Sequence, residues 1–412
     1  MAEKKKTGKS TSSSKSTKKI KKKVVKEVKK QAKKNPKAFA AFTIAIVILL
    51  IVAISLVMII KPDLILNLLG SPNTGEVSTP TTDGELTMHV IDVGQGDCIL
   101  ICFPDGKDMV IDCGNKSTGY NYNSTKEYLD TYVTDNQLDY LMLTHGDEDH
   151  VEFLDNIIDA YQVDNIYMPN IKAEPTNAEK LAQVNALEKE KLDMFTDNDT
   201  LSSVMYAEFF IAALTEPNCN IVLNIGTFTI SGEGWKIDFF CLTQEQWDNE
   251  HLNNAHQKNM VSPIGILQCN GKRIVLTGDS NEENEPLAMQ AMKDFYNVDK
   301  LDCDVLKVGH HGSESSSTVG FLDFITCESA IISCDAQGNT FYHPRYNTLV
   351  RFINRDMNVY RTDLHGNIVI KITSTNLTIT SQTNANEDEI WKGYTTNSAD
   401  SLRQAMKGDS EI

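Results

Sequence analysis

Leu141-Met142-Leu143-Thr144-His145-Gly146-Asp147-Glu148-Asp149-His150 places four potential metal ligands, His145, Asp147, Asp149 and His150, within six residues directly after an apolar strand. A loop at a strand's end lets such side chains converge on one point, and imidazole with carboxylate suits Zn²⁺, Mn²⁺ or Fe. A solvated acidic turn would also be rich in Asp, Glu and Gly, but it has no need of two histidines at this spacing. Two further stretches share the design. Arg273-Ile274-Val275-Leu276-Thr277-Gly278-Asp279 ends an apolar run on a carboxylate, and Leu306-Lys307-Val308-Gly309-His310-His311-Gly312-Ser313 ends another on paired histidines.

Around these stretches the pattern is that of an α+β domain. Leu86 to Val93, Cys98 to Phe103 and Met109 to Gly114 read as a meander of short strands separated by turns. Helix then alternates with strand: 126–136 helical, 138–144 strand, 151–161 helical, 163–168 strand. Residues 174–213 form a charged helical stretch, expected as an insertion near the rim of the site. Strand-like runs return at 220–230, 235–242, 265–268, 273–277, 305–308, 330–333, 359–362 and 366–379. Two mostly antiparallel sheets with helices outside would accommodate this order. The domain is expected to span 85–382, with 383–412 a polar tail that frays.

The N-terminal part differs sharply. Residues 1–37 contain 16 Lys against Glu3 and Glu27, a net of +14, and cannot bury enough apolar surface to fold alone. Residues 38–60 form an uncharged apolar run, long enough at about 1.5 Å per residue to cross a membrane core of about 30 Å. A cleaved signal peptide would have a shorter apolar stretch and small residues marking the cut; Lys61-Pro62-Asp63 marks none. The run reads as a transmembrane helix with 61–84 as a linker. The positive-inside rule keeps the lysines cytoplasmic and places the catalytic domain outside the cell membrane. Removing +14 from the chain's −17 leaves about −31 on that exported part, which repels polyanions at long range. The nine cysteines are scattered without a CxxC pair, and several, Cys98, Cys102, Cys113 and Cys334, read as small buried thiols in apolar runs.

Seven motifs taken together carry a resemblance: His89-Val90-Ile91-Asp92-Val93-Gly94-Gln95-Gly96-Asp97, Ile111-Asp112-Cys113-Gly114, the His145 to His150 block, Leu276-Thr277-Gly278-Asp279, His310-His311-Gly312-Ser313, Tyr342-His343-Pro344 and Arg361-Thr362-Asp363-Leu364-His365-Gly366. The sequence resembles the metallo-β-lactamase superfamily, and within it the C-terminal hydrolase domain of ComEC-type competence (DNA-uptake) proteins. The resemblance implies a four-layer αββα sandwich holding two divalent metal ions, zinc or manganese. His145, Asp147, Asp149 and His150 would be ligands, Asp279 would bridge both metals, and His310 would be the last ligand of the second. Asp149 would also orient the attacking hydroxide, His311 would serve substrate or leaving group, and His343 would donate to a phosphate oxygen or protonate the leaving group.

The chain departs from the family pattern at three places. Asp147 replaces the middle histidine of HxHxDH, and a harder oxygen ligand shifts preference from zinc toward manganese. Val151-Glu152 replaces the usual Gly-Gly. Asn259 and Ser262, with His256 nearby, stand where many relatives carry a third histidine. Asp112, at the end of its strand, is expected to orient a ligand histidine rather than bind metal, and Asp97 either to do the same or to cap its glycine turn.

The function expected is a membrane-anchored extracytoplasmic phosphodiesterase or nuclease acting on nucleic acid, a nucleotide or a cell-wall polymer. The alternatives are an acyl hydrolase of a lactam, lactone or thioester, a teichoic-acid phosphorylcholine esterase, and, in a third class, a non-catalytic binding protein that keeps only the scaffold.

Overall fold

The first strands alternate apolar side chains between two covered faces. β1 (Leu86–Val90) and β2 (Cys98–Cys102) send Met88, Val90, Ile99 and Ile101 to one side, while Cys98 and Leu100 go to the other, and β3 (Asp108–Cys113) extends the meander. Strands apolar on both sides need a layer on each. The computed structural model describes residues 79–408, apart from 116–119, 196–199, 250–257 and 337–339. The lysine-rich tail, the apolar run 38–60, the linker up to residue 78, and His256 all lie outside the described residues. Among the described residues no helix is long and apolar enough to cross a membrane.

The chain continues through β4 (Gln137–Met142), β5 (Gln162–Met168), β6 (Lys172–Ala173), β7 (Thr200–Leu201) and β8 (Asn220–Leu223). The second half holds β9 (Thr227–Gly232), β10 (Trp235–Phe240), β11 (Ile264–Cys269), β12 (Lys272–Leu276), β13 (Val305–Lys307), β14 (Ser329–Ile332) and β15 (Asn358–Arg361), before β16 (Ile368–Ile372) and β17 (Leu377–Ser381) return to the first half. One sheet runs β17-β16-β1-β2-β3-β4-β5-β8 and the other β15-β14-β13-β12-β11-β10-β9.

Between the sheets lies a core that includes Met88, Ile101, Met142, Trp235, Ile237, Phe239 and Ile274, with the Phe103 and Trp235 rings stacked 3.5 Å apart. Helices Tyr122–Leu129, Leu154–Ala160 and Val204–Thr215 cover the outer face of the first sheet. Helices Glu285–Tyr296, Val319–Ile325 and Tyr346–Ile353 cover that of the second. The four-layer αββα architecture is as expected.

Three expectations need correction. The sheets are mixed rather than mostly antiparallel: β3-β4-β5-β8 and β12-β13-β14-β15 are parallel. A strand followed by a helix crossing over the sheet must re-enter parallel to its predecessor, and both halves switch from hairpins to such crossovers. The described residues of 174–213 form helices and the short strand β7, but the segment is no mere excursion. Its last helix, Val204–Thr215, buries Tyr206, Phe209 and Phe210 completely in the outer core.

The C-terminal residues do not fray as a polar tail. After helix Glu387–Ile390, β18 (Lys392–Tyr394) pairs with β19 (Leu402–Gln404). The buried Arg361 guanidinium donates to the carbonyls of Glu389, Ile390 and Lys392 at 2.8–3.2 Å. These internal partners satisfy what solvent would otherwise have to. The end of the linker is likewise tied down, since the Asn270 amide donates to Pro80 O at 2.7 Å.

Candidate metal centre

The parallel strands position the site. β3, β4, β12 and β13 all point the same way within their sheets, so Asp112, the loop 144–150, Asp279 and His310-His311 emerge at their C-terminal ends on one rim. The crevice beyond such strand ends is the usual place for a ligand in α/β sheets. Gly114 allows the close approach of the ligand loop to β3: a Cβ there would lie 2.4 Å from both Glu148 O and His150 N. Gly146 plays the same part toward the inserted segment, where a Cβ would meet Leu201 Cδ1 at 2.3 Å and Tyr206 Cδ2 at 3.0 Å.

Hydrogen bonds behind each imidazole aim its other nitrogen inward. His150 Nδ1 lies 2.7 Å from Asp112 Oδ2, and Asp112 also accepts from the Thr144 amide and hydroxyl, so the expectation that it orients a ligand holds. His311 Nδ1 lies 2.9 Å from Ser333 O. A carbonyl only accepts, so that nitrogen carries the proton and Nε2 is the one turned toward Asp149 and Asp279. His145 Nδ1 faces Thr144 Oγ1 at 3.2 Å and Ser262 Oγ at 3.3 Å. Its Nε2 is buried with no hydrogen-bond partner, 3.7 Å from Asp279 Oδ2 and 3.9 Å from Asp147 Oδ2.

The two oxygens of Asp279 divide the histidines into pairs. Oδ2 stands 3.7 Å from His145 Nε2 and 3.7 Å from His310 Nε2; Oδ1 stands 3.1 Å from His150 Nε2 and 3.6 Å from His311 Nε2. Asp149 Oδ2 joins the second pair, 3.5 Å from His311 Nε2. Ligand atoms of His145, His150 and Asp279 lie within 4.8 Å of one another, as do those of Asp149, His150 and His311. Lone pairs and carboxylates gathered this closely in a buried place need positive charge between them. The donor set therefore fits divalent ions, with the orphaned His145 nitrogen as its clearest mark.

The electrostatics agree. Burial and the neighbouring His150 push His145 down to about 3, leaving it an uncharged ligand at neutral pH. Burial works against charge on Asp279, yet the imidazoles of His150, His311 and His310 hold its carboxyl well below the usual range. Burial likewise opposes charge on His150, but Asp279 and Asp112 lift it well above an ordinary histidine, a measure of how strongly this place favours positive charge.

The histidine pair departs from expectation. His311, 1 % exposed, faces Asp149 and His150, whereas His310 faces the other oxygen of Asp279 and packs against the Asn259 amide at 3.2 Å. His310 and His311 thus stand at different oxygens of Asp279, with His311 on the side of Asp149 and His150. Both residues sit in left-handed backbone, φ 50° and 52°, which swings consecutive rings toward different sides of Asp279. Ser262 backs His145 from behind and its hydroxyl accepts from the Asp279 amide at 3.2 Å, so it supports ligands rather than replacing a missing one. His343 is 6 % exposed, its ring 5.3 Å from that of His310, and its Nδ1 has no partner.

Asp97 does not merely cap its turn, for its Oδ1 stands 3.9 Å from His311 Nδ1. It pairs with the fully buried Lys307 at 2.8 Å. The signal was present in the sequence, since a single lysine in the apolar run Val305-Leu306-Lys307-Val308 requires a buried acid. Its partner, 210 residues away, could not be read from it.

Residues 91–218 match the metallo-beta-lactamase superfamily. Over 301 residues the chain is 27% identical to ComE operon protein 3 of Bacillus subtilis, covering 70% of this chain and 33% of that protein. Over 300 residues it is 23% identical to recombination protein 2 of Haemophilus influenzae, covering 71% and 29%. The chain spans about a third of the length of these curated relatives. Among solved structures, a metallo-beta-lactamase fold protein from Bacillus subtilis aligns over 72% of this chain and 99% of its own at 11% identity and a TM-score of 0.38. With the strand-end ligand group and the αββα layers in place, the comparisons lead to one conclusion: residues 91–218 match the metallo-β-lactamase superfamily, and the chain is related to the ComEC-type competence proteins.

Proposed function

We propose that the chain hydrolyses a phosphodiester with two divalent metal ions, on the outer side of a membrane in which residues 38–60 anchor it. The observation that carries this reading is the division of Asp279, whose two oxygens face His145 with His310 on one side and His150 with His311 on the other. His145, Asp147 and Asp279, with His310 at their edge, would hold one ion; Asp149, His150, His311 and Asp279 would hold the other. Two such ions supply a water of lowered pKa and charge stabilisation at the phosphorus.

The side chains supply the rest. Asp149 would orient the attacking water and take up its proton as the water oxygen bonds to phosphorus and the ester P–O bond breaks, its electron pair leaving with the departing oxygen. Burial, with His310 and His311 adding to it, keeps His343 well below the usual imidazole range. It is therefore neutral at pH 7 and acts by donating a hydrogen bond to a phosphoryl oxygen, not by protonating the leaving group.

Among the described residues, Lys307 is engaged by Asp97 and Arg361 by Asp363, which leaves Arg345, bonded to the neutral Asn397, as a single cation beside His343. A nuclease that tracks a long polyanion needs lysines and arginines open to phosphates. The reading therefore favours a short or wall-linked phosphodiester over a long nucleic acid. Initial rates on bis(p-nitrophenyl) phosphate, p-nitrophenyl acetate and a chromogenic lactam test it. Cleavage of the phosphodiester alone is expected; cleavage of the acyl substrates alone would overturn it.

A further inference from the structure

The segment after Gln382 makes contacts that have no part in the sandwich. It reaches the loop that carries His343. The Tyr394 amide donates to Pro344 O at 3.0 Å, its hydroxyl donates to Ala336 O, and its ring meets that of Tyr342 edge to face at 5.3 Å. Arg345 forms a bridge with Tyr394, and its guanidinium donates to Asn397. From the other side Arg403 lies 4.5 Å over the Tyr346 ring. Contact is tightest at Gly393, where a Cβ would fall 2.6 Å from Tyr346 N and 2.9 Å from Arg345 C. Only glycine lets the two backbones lie together there.

The loop so held is a strained one. Tyr342 occupies left-handed backbone with φ 60°, a conformation that persists for a bulky residue only where its surroundings impose it. Tyr394, 3 % exposed, touches that segment on both sides of His343. The strap is itself fixed to the domain through Arg361, which grips three of its carbonyls, and through the Ala405 amide bonded to Trp391 O at 2.7 Å.

We infer that residues 386–405 form a strap whose Gly393 and Tyr394 are positioning residues: they clamp the Tyr342–Arg345 loop and thereby set the place of the His343 imidazole at the metal centre. This rests on the phosphodiesterase reading for its catalytic consequence but not for its structural one. A misplacement on the order of 1 Å is worth up to about a hundredfold in rate, so a hydrogen-bond donor on an unclamped loop loses most of its effect.

The test uses the full chain, its Gly393→Ala and Tyr394→Phe variants, and each of these combined with His343→Ala. Amide exchange over residues 340–346 is read by mass spectrometry, alongside metal content and kcat on bis(p-nitrophenyl) phosphate. Gly393→Ala should speed exchange in that loop, leave bound metal unchanged and lower kcat by about tenfold or more, with a smaller fall for Tyr394→Phe. On the His343→Ala background neither change should lower kcat further, because the strap acts through that side chain. Unchanged exchange overturns the clamp, and so does a loss of metal. A kcat penalty that persists without His343 overturns the positioning role. A parent chain with no phosphodiesterase activity counts against the proposed function alone, and the exchange measurement then decides the clamp.

Discussion

His311 and His343 lie within the same few ångströms of His310, yet only one has a proton acceptor behind it. Ser333 O takes the Nδ1 proton of His311 and turns Nε2 toward Asp149, whereas His343 Nδ1 has no partner. Substitution should therefore separate them. His311→Ala is expected to release one of two bound ions and abolish turnover; His343→Ala should retain both ions and lose about 10²–10⁴-fold in kcat. Metal analysis of the two purified variants with their rates checks this, and loss of metal from His343→Ala would contradict it. The ligand types were legible in the sequence because each follows an apolar strand. The roles of the adjacent His310 and His311 were not, because they depend on two left-handed backbone angles that no periodicity encodes.

At the scale of elements, β13 and the turn before β2 are joined by the buried Lys307–Asp97 pair. Lys307→Met should destabilise the domain by about 3–5 kcal/mol, since it leaves a carboxylate buried without its partner, and adding Asp97→Leu should recover much of that loss. Urea unfolding of the single and double variants measures it; equal loss in both would contradict the account.

β1 offers a pH test. His89 is buried, with Tyr128 OH and Thr87 Oγ1 2.9 Å from its ring nitrogens, and burial pushes it down to about 4. Below the unfolded value near 6.5 the unfolded chain takes up a proton that the folded one refuses, so stability is lost as pH falls from about 6.5 to 4, by up to about 3 kcal/mol. His89→Gln, which cannot titrate, should flatten that slope. A slope unchanged in the variant would remove His89 as its source.

Strand existence was well marked by apolar runs. Strand direction was not, because parallel pairing follows from the helices that cross between strands rather than from the strands. The C-terminal strap escaped for a related reason: its composition is polar, and it is held by backbone carbonyls bonded to Arg361, which leave no apolar pattern.

For the whole molecule, the acidic balance and the ligand group belong together. A net of about −31 outside the lysine tail repels long polyanions but lowers the cost of gathering divalent cations, and the buried carboxylates Asp112, Asp149 and Asp279 concentrate that field at one rim. The two halves each contribute one strand-end loop and one further strand end, so the centre forms only when both sheets close on each other. Motifs far apart in sequence therefore converge, and their convergence was legible as soon as they were recognised as strand ends. The measurement that bears most directly on this account is the metal content of the purified chain and of its Asp279→Ala variant, taken with hydrolysis of bis(p-nitrophenyl) phosphate. The account predicts two divalent ions per chain with measurable cleavage, and loss of both ions' tight binding and of turnover in the variant. A chain that binds no divalent metal, or a variant that keeps two ions and full activity, would contradict it.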